Sequence, residues 1–148
     1  MADKLAAAKV LVQRLAGYHF RNEDILMEAI DTTGQRISQS NQRLALLGDA
    51  VLQHALLDDW YPNGTPKGNG NAILSTVANN PNLAAVARRH GLDALVVTNP
   101  GHCGPLSTNT LATIVEALIG AVYLDSGKDL DTVKLALAGL ELTPSNMG

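Results

Sequence analysis

The sequence predicts an all-α domain. Apolar residues recur at helical spacings almost throughout, and no stretch alternates polar and apolar side chains long enough to make a sheet. Capping residues, prolines and glycines also punctuate the chain where helices should start and stop. A chain of 148 residues is the size of one domain and can bury a single core. Hydrophobic content of 46% with 17% charged residues argues against disordered and fibrous classes. The domain is expected over residues 1–140, followed by a flexible C-terminal tail over 141–148.

Leu5, Ala8, Val12 and Leu15 form the stripe of a first helix that ends near Gly17. Asn22 is a good N-cap for a second, with Glu23 and Asp24 placed at the positive end of its dipole, and Ile25, Leu26, Ala29 and Ile30 facing inward. Residues 31–40 are polar and interrupted by Gly34, and read as a loop feeding a long helix from about Asn41 to Asp59. The segment PNGTPKGNGN, residues 62–71, has two prolines and three glycines and is expected to be a mobile connection. Pro81 near its start, and Gly91 after Arg88, Arg89 and His90, mark a helix over 81–90. A long loop from Leu92 to Thr110 contains Pro100, Gly101, Gly104 and Pro105. LATIVEALIGAVYLDSG then forms an almost wholly apolar helix stopped by Gly127, which belongs in the interior and makes Glu116 conspicuous. A last helix starts near Asp129 and buries Leu130, Val133 and Leu137.

No apolar run approaches the roughly 20 residues that cross a bilayer, and the N-terminal stretch carries Asp3 and lacks a long uncharged core. The expectation is an intracellular chain with no membrane partner, the cytoplasm being favoured over the mitochondrion. Cys103 is the only cysteine, which excludes an intramolecular disulfide and a multi-thiolate zinc site. A net charge of −3 means that any contact with nucleic acid must use local patches, since nonspecific affinity for phosphates comes from Lys and Arg.

The stretch NQRLALLGDAVL, residues 41–52, resembles the ribonuclease III hallmark, commonly NERLEFLGDAVL, and departs from it only at Gln42, Ala45 and Leu46. ATIVEALIGAVYLDSG, residues 112–127, resembles that family's second motif, of the type ADxxEALIGAIYLDGG, in the expected order and separation. LAGYHFRNEDILMEAI is similar to the family's opening helix pair, and ANNPNLAAVARRHGL to the segment between the motifs. The likeness covers roughly residues 11 to 138.

The resemblance implies a homodimer that cuts double-stranded RNA with magnesium ions held by carboxylates from the two motif helices. Mg²⁺ prefers hard oxygen ligands in octahedral geometry, and metals at a scissile phosphate activate water and stabilise the departing oxygen. The family's acids fall here on Gln42, Ala45, Asp49, Thr113 and Glu116. Positions 42, 45 and 49 lie within about 60° of one another on a helix, and 113 and 116 are likewise neighbours, so all five point into one cleft. Only Asp49 and Glu116 remain acidic. Ala45 offers no donor, Gln42 a neutral amide and Thr113 a hydroxyl, so most of the charge that would hold a hard cation is gone. Mg²⁺ or Mn²⁺ is the expected cofactor if the chain is active, and none otherwise. The structural alternative has Asp49 accepting hydrogen bonds from a neighbouring loop and Glu116 pairing with a base such as Arg43.

Leu46 stands where the family commonly has an aromatic residue that enters a pocket on the partner subunit. Leu44, Leu47, Val51 and Ala55 make one inward stripe, which leaves Leu46 and Ala50 on a second apolar face suited to dimerisation. Arg88 and Arg89 complement a helix dipole. Lys67 does not follow the last glycine of its loop as a P-loop lysine does. His102 and Cys103 are adjacent without an orienting partner, and His19, His54 and His90 have no metal-ligand spacing.

The reading is a ribonuclease III-like homodimer, catalytically weak or inactive, that acts in RNA binding or RNA processing or through a protein partner. The chief alternative is an active metal-dependent double-stranded RNA endoribonuclease using the reduced acid set. A third is a structural subunit of a ribonucleoprotein or protein complex, like the ribonuclease III-like subunits of mitochondrial ribosomes. No appended double-stranded RNA-binding domain is expected, and the acidic balance offers no substitute for one.

Overall fold

The computed structural model describes residues 2–34 and 40–144. Among them are α1 (Ala2–Ala16), α2 (Glu23–Ile30), α3 (Gln42–Trp60), α4 (Lys67–Val77), α5 (Asn80–Arg89), α6 (Thr108–Asp125) and α7 (Leu130–Gly139), with single 3-10 turns at Tyr61–Asn63 and Leu92–Ala94. The only β pairing among the described residues is an isolated bridge between Asp31 and Val97, so the fold is all-α as expected.

Four of the helices, α2, α5, α6 and α7, begin where a side chain satisfies one of their first amides. Asn22 accepts from Asp24 N at 2.9 Å, Asn79 from Asn82 N at 2.8 Å, Ser107 from Thr110 N at 3.1 Å and Asp129 from Asp131 N at 3.0 Å. Gly127, at φ 75°, adopts the left-handed conformation that ends α6, and Lys128 N then bonds back to Tyr123 O at 2.7 Å.

The core is built around α6, whose Leu111, Ile114, Val115, Ala117, Ile119 and Ala121 are all but inaccessible. A helix apolar on every side must be surrounded, and α3, α5, α2 and α7 surround it. Each fully buried Leu or Ile contributes about 1.5–3 kcal/mol of transfer free energy, and Leu26, Ile30, Leu52, Leu83 and Leu92 join those of α6 in one continuous cluster.

Three expectations change. Residues 67–71 are not a mobile connection, because α4 starts at Lys67. Pro66 supplies the extended N-cap, and Trp60 lies over Gly70 so closely that a Cβ there would be 3.1 Å from the ring. Trp60 Nε1 also donates to Thr65 Oγ1 at 2.7 Å, and with Ile73 and Val77 buried, packing outweighs the poor helix propensity of the glycines. The loop after α5 is shorter than expected, since Leu92–Ala94 turn, Val96 is buried and Val97 pairs with the chain at Ile30 and Thr32. At the C-terminal end Leu142 is wholly buried, and Glu141 faces Arg89 at 3.6 Å and His90 at 3.5 Å, so packing continues past residue 140. The remainder of the expected tail, 145–148, and residues 35–39 of the expected 31–40 loop lie outside the described residues.

Candidate active-site cleft

The geometry of the cleft begins with two glycines. Gly48 on α3 and Gly120 on α6 meet where the helices cross: a Cβ on Gly48 would lie 1.7 Å from the Glu116 carbonyl oxygen, and one on Gly120 would lie 2.4 Å from that of Leu44. Without side chains at these points the two backbones touch, and the residues beside the crossing are driven together. Asp49 follows Gly48 in sequence, and Glu116 is the very residue against which Gly48 packs.

Gln42, Ala45, Asp49, Thr113 and Glu116 therefore converge, with Leu46, on one open depression of about 250 Å³. The helical spacing brought together every position expected there. Within it the Glu116 carboxyl hydrogen-bonds to that of Asp49. Partial burial raises the Glu116 pKa from 4.5 to about 7, helped by the hydrogen bond to Asp49 and by its charge. Asp49 Oδ2 also accepts from Gln53 Nε2, one turn along α3, at 3.1 Å. Thr113 Oγ1 donates back to Asn109 O at 2.8 Å, Gln42 is exposed, and Ala45 is buried in the floor.

This arrangement departs from the structural alternative in both its parts. Asp49 is bound by its own helix rather than by a loop, and Glu116 faces Asp49 rather than Arg43, which lines a separate groove of about 280 Å³ with Ile25, Glu28, Leu44, Leu47 and Leu124. Leu46 is 77% exposed and Ala50 is exposed on the same side of α3, so neither takes part in the core of its own chain.

The donor set does not fit the divalent ions that the motif helices imply. Among the described residues no group of three or more His, Cys, Asp or Glu side chains converges. The cleft offers two carboxyls hydrogen-bonded to each other, one amide, one hydroxyl and a methyl, where the motif pattern sets five acids, so a cation here would depend on water and phosphate oxygens for most of its shell.

The remaining candidates stay apart from the cleft. His102 Nε2 contacts Gly104 O within its own loop at 3.1 Å, and Cys103 is exposed. Arg88 reaches Leu106 O at 3.5 Å, Arg89 and His90 face Glu141, and Lys67 is exposed at the start of α4.

Asp125 is a residue that the sequence reading passed over. Its carboxylate accepts from Tyr18 OH at 2.6 Å, Arg21 N at 2.7 Å and Asn22 N at 2.9 Å, tying the α1–α2 connection to the end of α6. Burial alone would push this carboxyl up, but those bonds outweigh it and hold the pKa below its ordinary value. A signal was present, since an aspartate at a helix C-terminus opposes the dipole and needs compensation.

Residues 42–127 match the family model of the ribonuclease III domain. Ribonuclease 3 of Vibrio vulnificus, from strains YJ016 and CMCP6 alike, is 35% identical over 127 residues, which make up 82% of this chain and 55% of the relative. The chain thus spans about half the length of the curated relatives it matches. A structure of the nuclease domain of ribonuclease III from Campylobacter jejuni, described for flexibility in a region involved in dimer formation, superposes with a TM-score of 0.77 at 23% identity, covering 88% of this chain and 94% of that one. A crystal structure of the same nuclease domain gives a TM-score of 0.76 at 23% identity over 89% of this chain and 92% of that one. These likenesses show the fold, and the family match together with the Vibrio relatives settles the membership: the chain belongs to the ribonuclease III family.

Proposed function

We propose that this domain is a ribonuclease III-like homodimer whose cleavage of double-stranded RNA is weak or silent, and that it acts in RNA processing by binding structured RNA. One observation carries the reading: the cleft keeps its shape but not its charge. Gln42, Ala45 and Thr113 stand beside Asp49 and Glu116 in a single depression, so the shape of the cleft persists while most of the side chains that would hold a phosphate-neutralising cation carry no charge. At neutral pH the pair carries less than its full negative charge, because Glu116 is partly protonated there. Loss of the metal site removes the chemistry and leaves the fold that presents the cleft.

A second copy of the chain is the partner that Leu46 and Ala50 support. Leu46 is a large apolar side chain left in solvent, and the groove lined by Ile25, Leu44, Leu47 and Leu124 with Glu28 and Arg43 offers a partly apolar recess on a neighbouring face.

Incubation of the pure chain with long double-stranded RNA in Mg²⁺ or Mn²⁺, beside Asp49→Asn and Glu116→Gln controls, tests the reading. Retardation of the RNA on a gel without cutting is the expected result. Metal-dependent cutting that the controls lack would make the chain an active endoribonuclease, and neither binding nor cutting would move its role to a protein complex.

A further inference from the structure

We infer that Gln53 takes the place of a divalent cation as the standing partner of Asp49, so that the resting form of the cleft is metal-free by construction. The inference rests on reading the cleft as a depleted metal site, and it adds what fills the gap. A carboxylate that faced cations in an acid-rich site needs another source of positive potential once the cation is gone, because a partly buried carboxylate without a donor is costly. Gln53 lies four residues after Asp49 on α3, the spacing at which side chains meet on one helix face, and its Nε2 donates to Asp49 Oδ2 at 3.1 Å. Glu116 engages Asp49 from across the crossing.

A cation entering the cleft would have to displace the Gln53 amide from Asp49. It would then find only neutral oxygens from Gln42 and Thr113 and the methyl group of Ala45 where further carboxylates would have to be. Gln53 thus acts on the site through Asp49, as a positioning residue whose neutral amide stands where a charged ligand shell would otherwise close.

The test follows Mn²⁺ by its effect on water-proton relaxation and on the melting midpoint of the full chain, with chelator as the reference. The native chain is expected to show no saturable Mn²⁺ response at millimolar concentration, with Asp49→Asn indistinguishable from it in this respect. Gln53→Glu keeps the size of the side chain but replaces the donor by a third carboxylate. It should melt lower in chelator, and with Mn²⁺ at about ten times its dissociation constant the midpoint should rise by about 3–6 °C. If the glutamate variant does not fold, Gln53→Leu, which removes the donor without adding charge, should still melt lower in chelator, because Asp49 loses its standing partner. A native response abolished by Asp49→Asn, or Gln53 variants that neither melt lower in chelator nor answer to Mn²⁺, would overturn the inference. A native chain that binds Mn²⁺ through Asp49 yet cuts no RNA sinks this inference and leaves the functional reading standing. RNA cutting in chelator without Mn²⁺ binding does the reverse.

Discussion

Gly48 packs directly on the backbone of Glu116, with room for nothing larger than hydrogen between the Gly48 Cα and the Glu116 carbonyl oxygen. The neighbour of that glycine, Asp49, is thereby brought within hydrogen-bonding reach of the Glu116 carboxyl, so one close backbone approach sets both the α3–α6 packing and the cleft.

Substitution of Gly48 by alanine is expected to cost about 3 kcal/mol or more, because the new methyl meets backbone that cannot swing aside. Gly68→Ala provides the contrast. That glycine is exposed in the first turn of α4 with nothing within 4 Å of a built Cβ, so alanine there should stabilise by about 0.5–1 kcal/mol. Thermal or urea unfolding of the two variants measures both, and a Gly48→Ala chain as stable as the native one would contradict the crossing geometry.

Removal of the Asp125 carboxylate should destabilise the domain by about 3 kcal/mol, since Tyr18 OH, Arg21 N and Asn22 N lose a shared, charged acceptor in a buried place. The folded pKa is depressed, so this contribution is present above the unfolded value near 3.8 and is lost as pH falls through the folded one. Melting midpoints of native and Asp125→Ala chains should therefore differ fully at neutral pH and converge in strong acid. A gap that stays constant down to low pH would argue that packing, not charge, holds the connection.

Glu116 carries the opposite sign. Its folded pKa of about 7 exceeds the ordinary 4.5, so the folded state holds a proton that the unfolded state has released, and stability declines as pH rises across that interval. Glu116→Gln should raise the melting midpoint at pH 8 relative to the native chain by the equivalent of about 1–2 kcal/mol after allowance for solvent screening, with the gain vanishing towards pH 4. The comparison is made in chelator. A glutamine variant less stable than native at pH 8 would mean that the ionised carboxylate is a satisfied structural partner.

If the chain pairs through Leu46 as proposed, Leu46→Glu should leave only monomers while the fold of each chain stays unchanged. The side chain is 77% exposed in a single chain, so the substitution buries no charge unless a second copy covers it. Sedimentation of native and variant chains checks the assembly, and their circular dichroism checks the fold. A native chain that sediments as a monomer at high concentration would end the proposal.

Much of this protein was legible in one dimension. The caps at Asn22 and Asp129 could be read because they act within a few residues of themselves and announce themselves by type, whereas Ser107 lay inside the expected 92–110 loop. The convergence of positions 42, 45 and 49 with 113 and 116 followed from helical period and from likeness to the two family motifs, and the depression they line contains them all. The α4 segment was misread because glycine and proline speak only of local preference, whereas Trp60 lying on Gly70 is a contact between residues ten apart on separate helices.

The sequence by itself therefore determined the helical class, the positions of most helices, the family, and which side chains of the two motifs could carry charge. Each of these depends on residue identity and short-range periodicity. Only the tertiary structure decided what those side chains meet. Gln53 bonds Asp49, Glu116 turns to Asp49 instead of Arg43, Asp125 ties Tyr18 and Arg21 to the end of α6, and Leu46 stays in solvent. The physical reason is that partner choice for a partly buried polar group is set by distance and by the desolvation it must offset, and both are fixed only when Gly48 and Gly120 let the two helices touch.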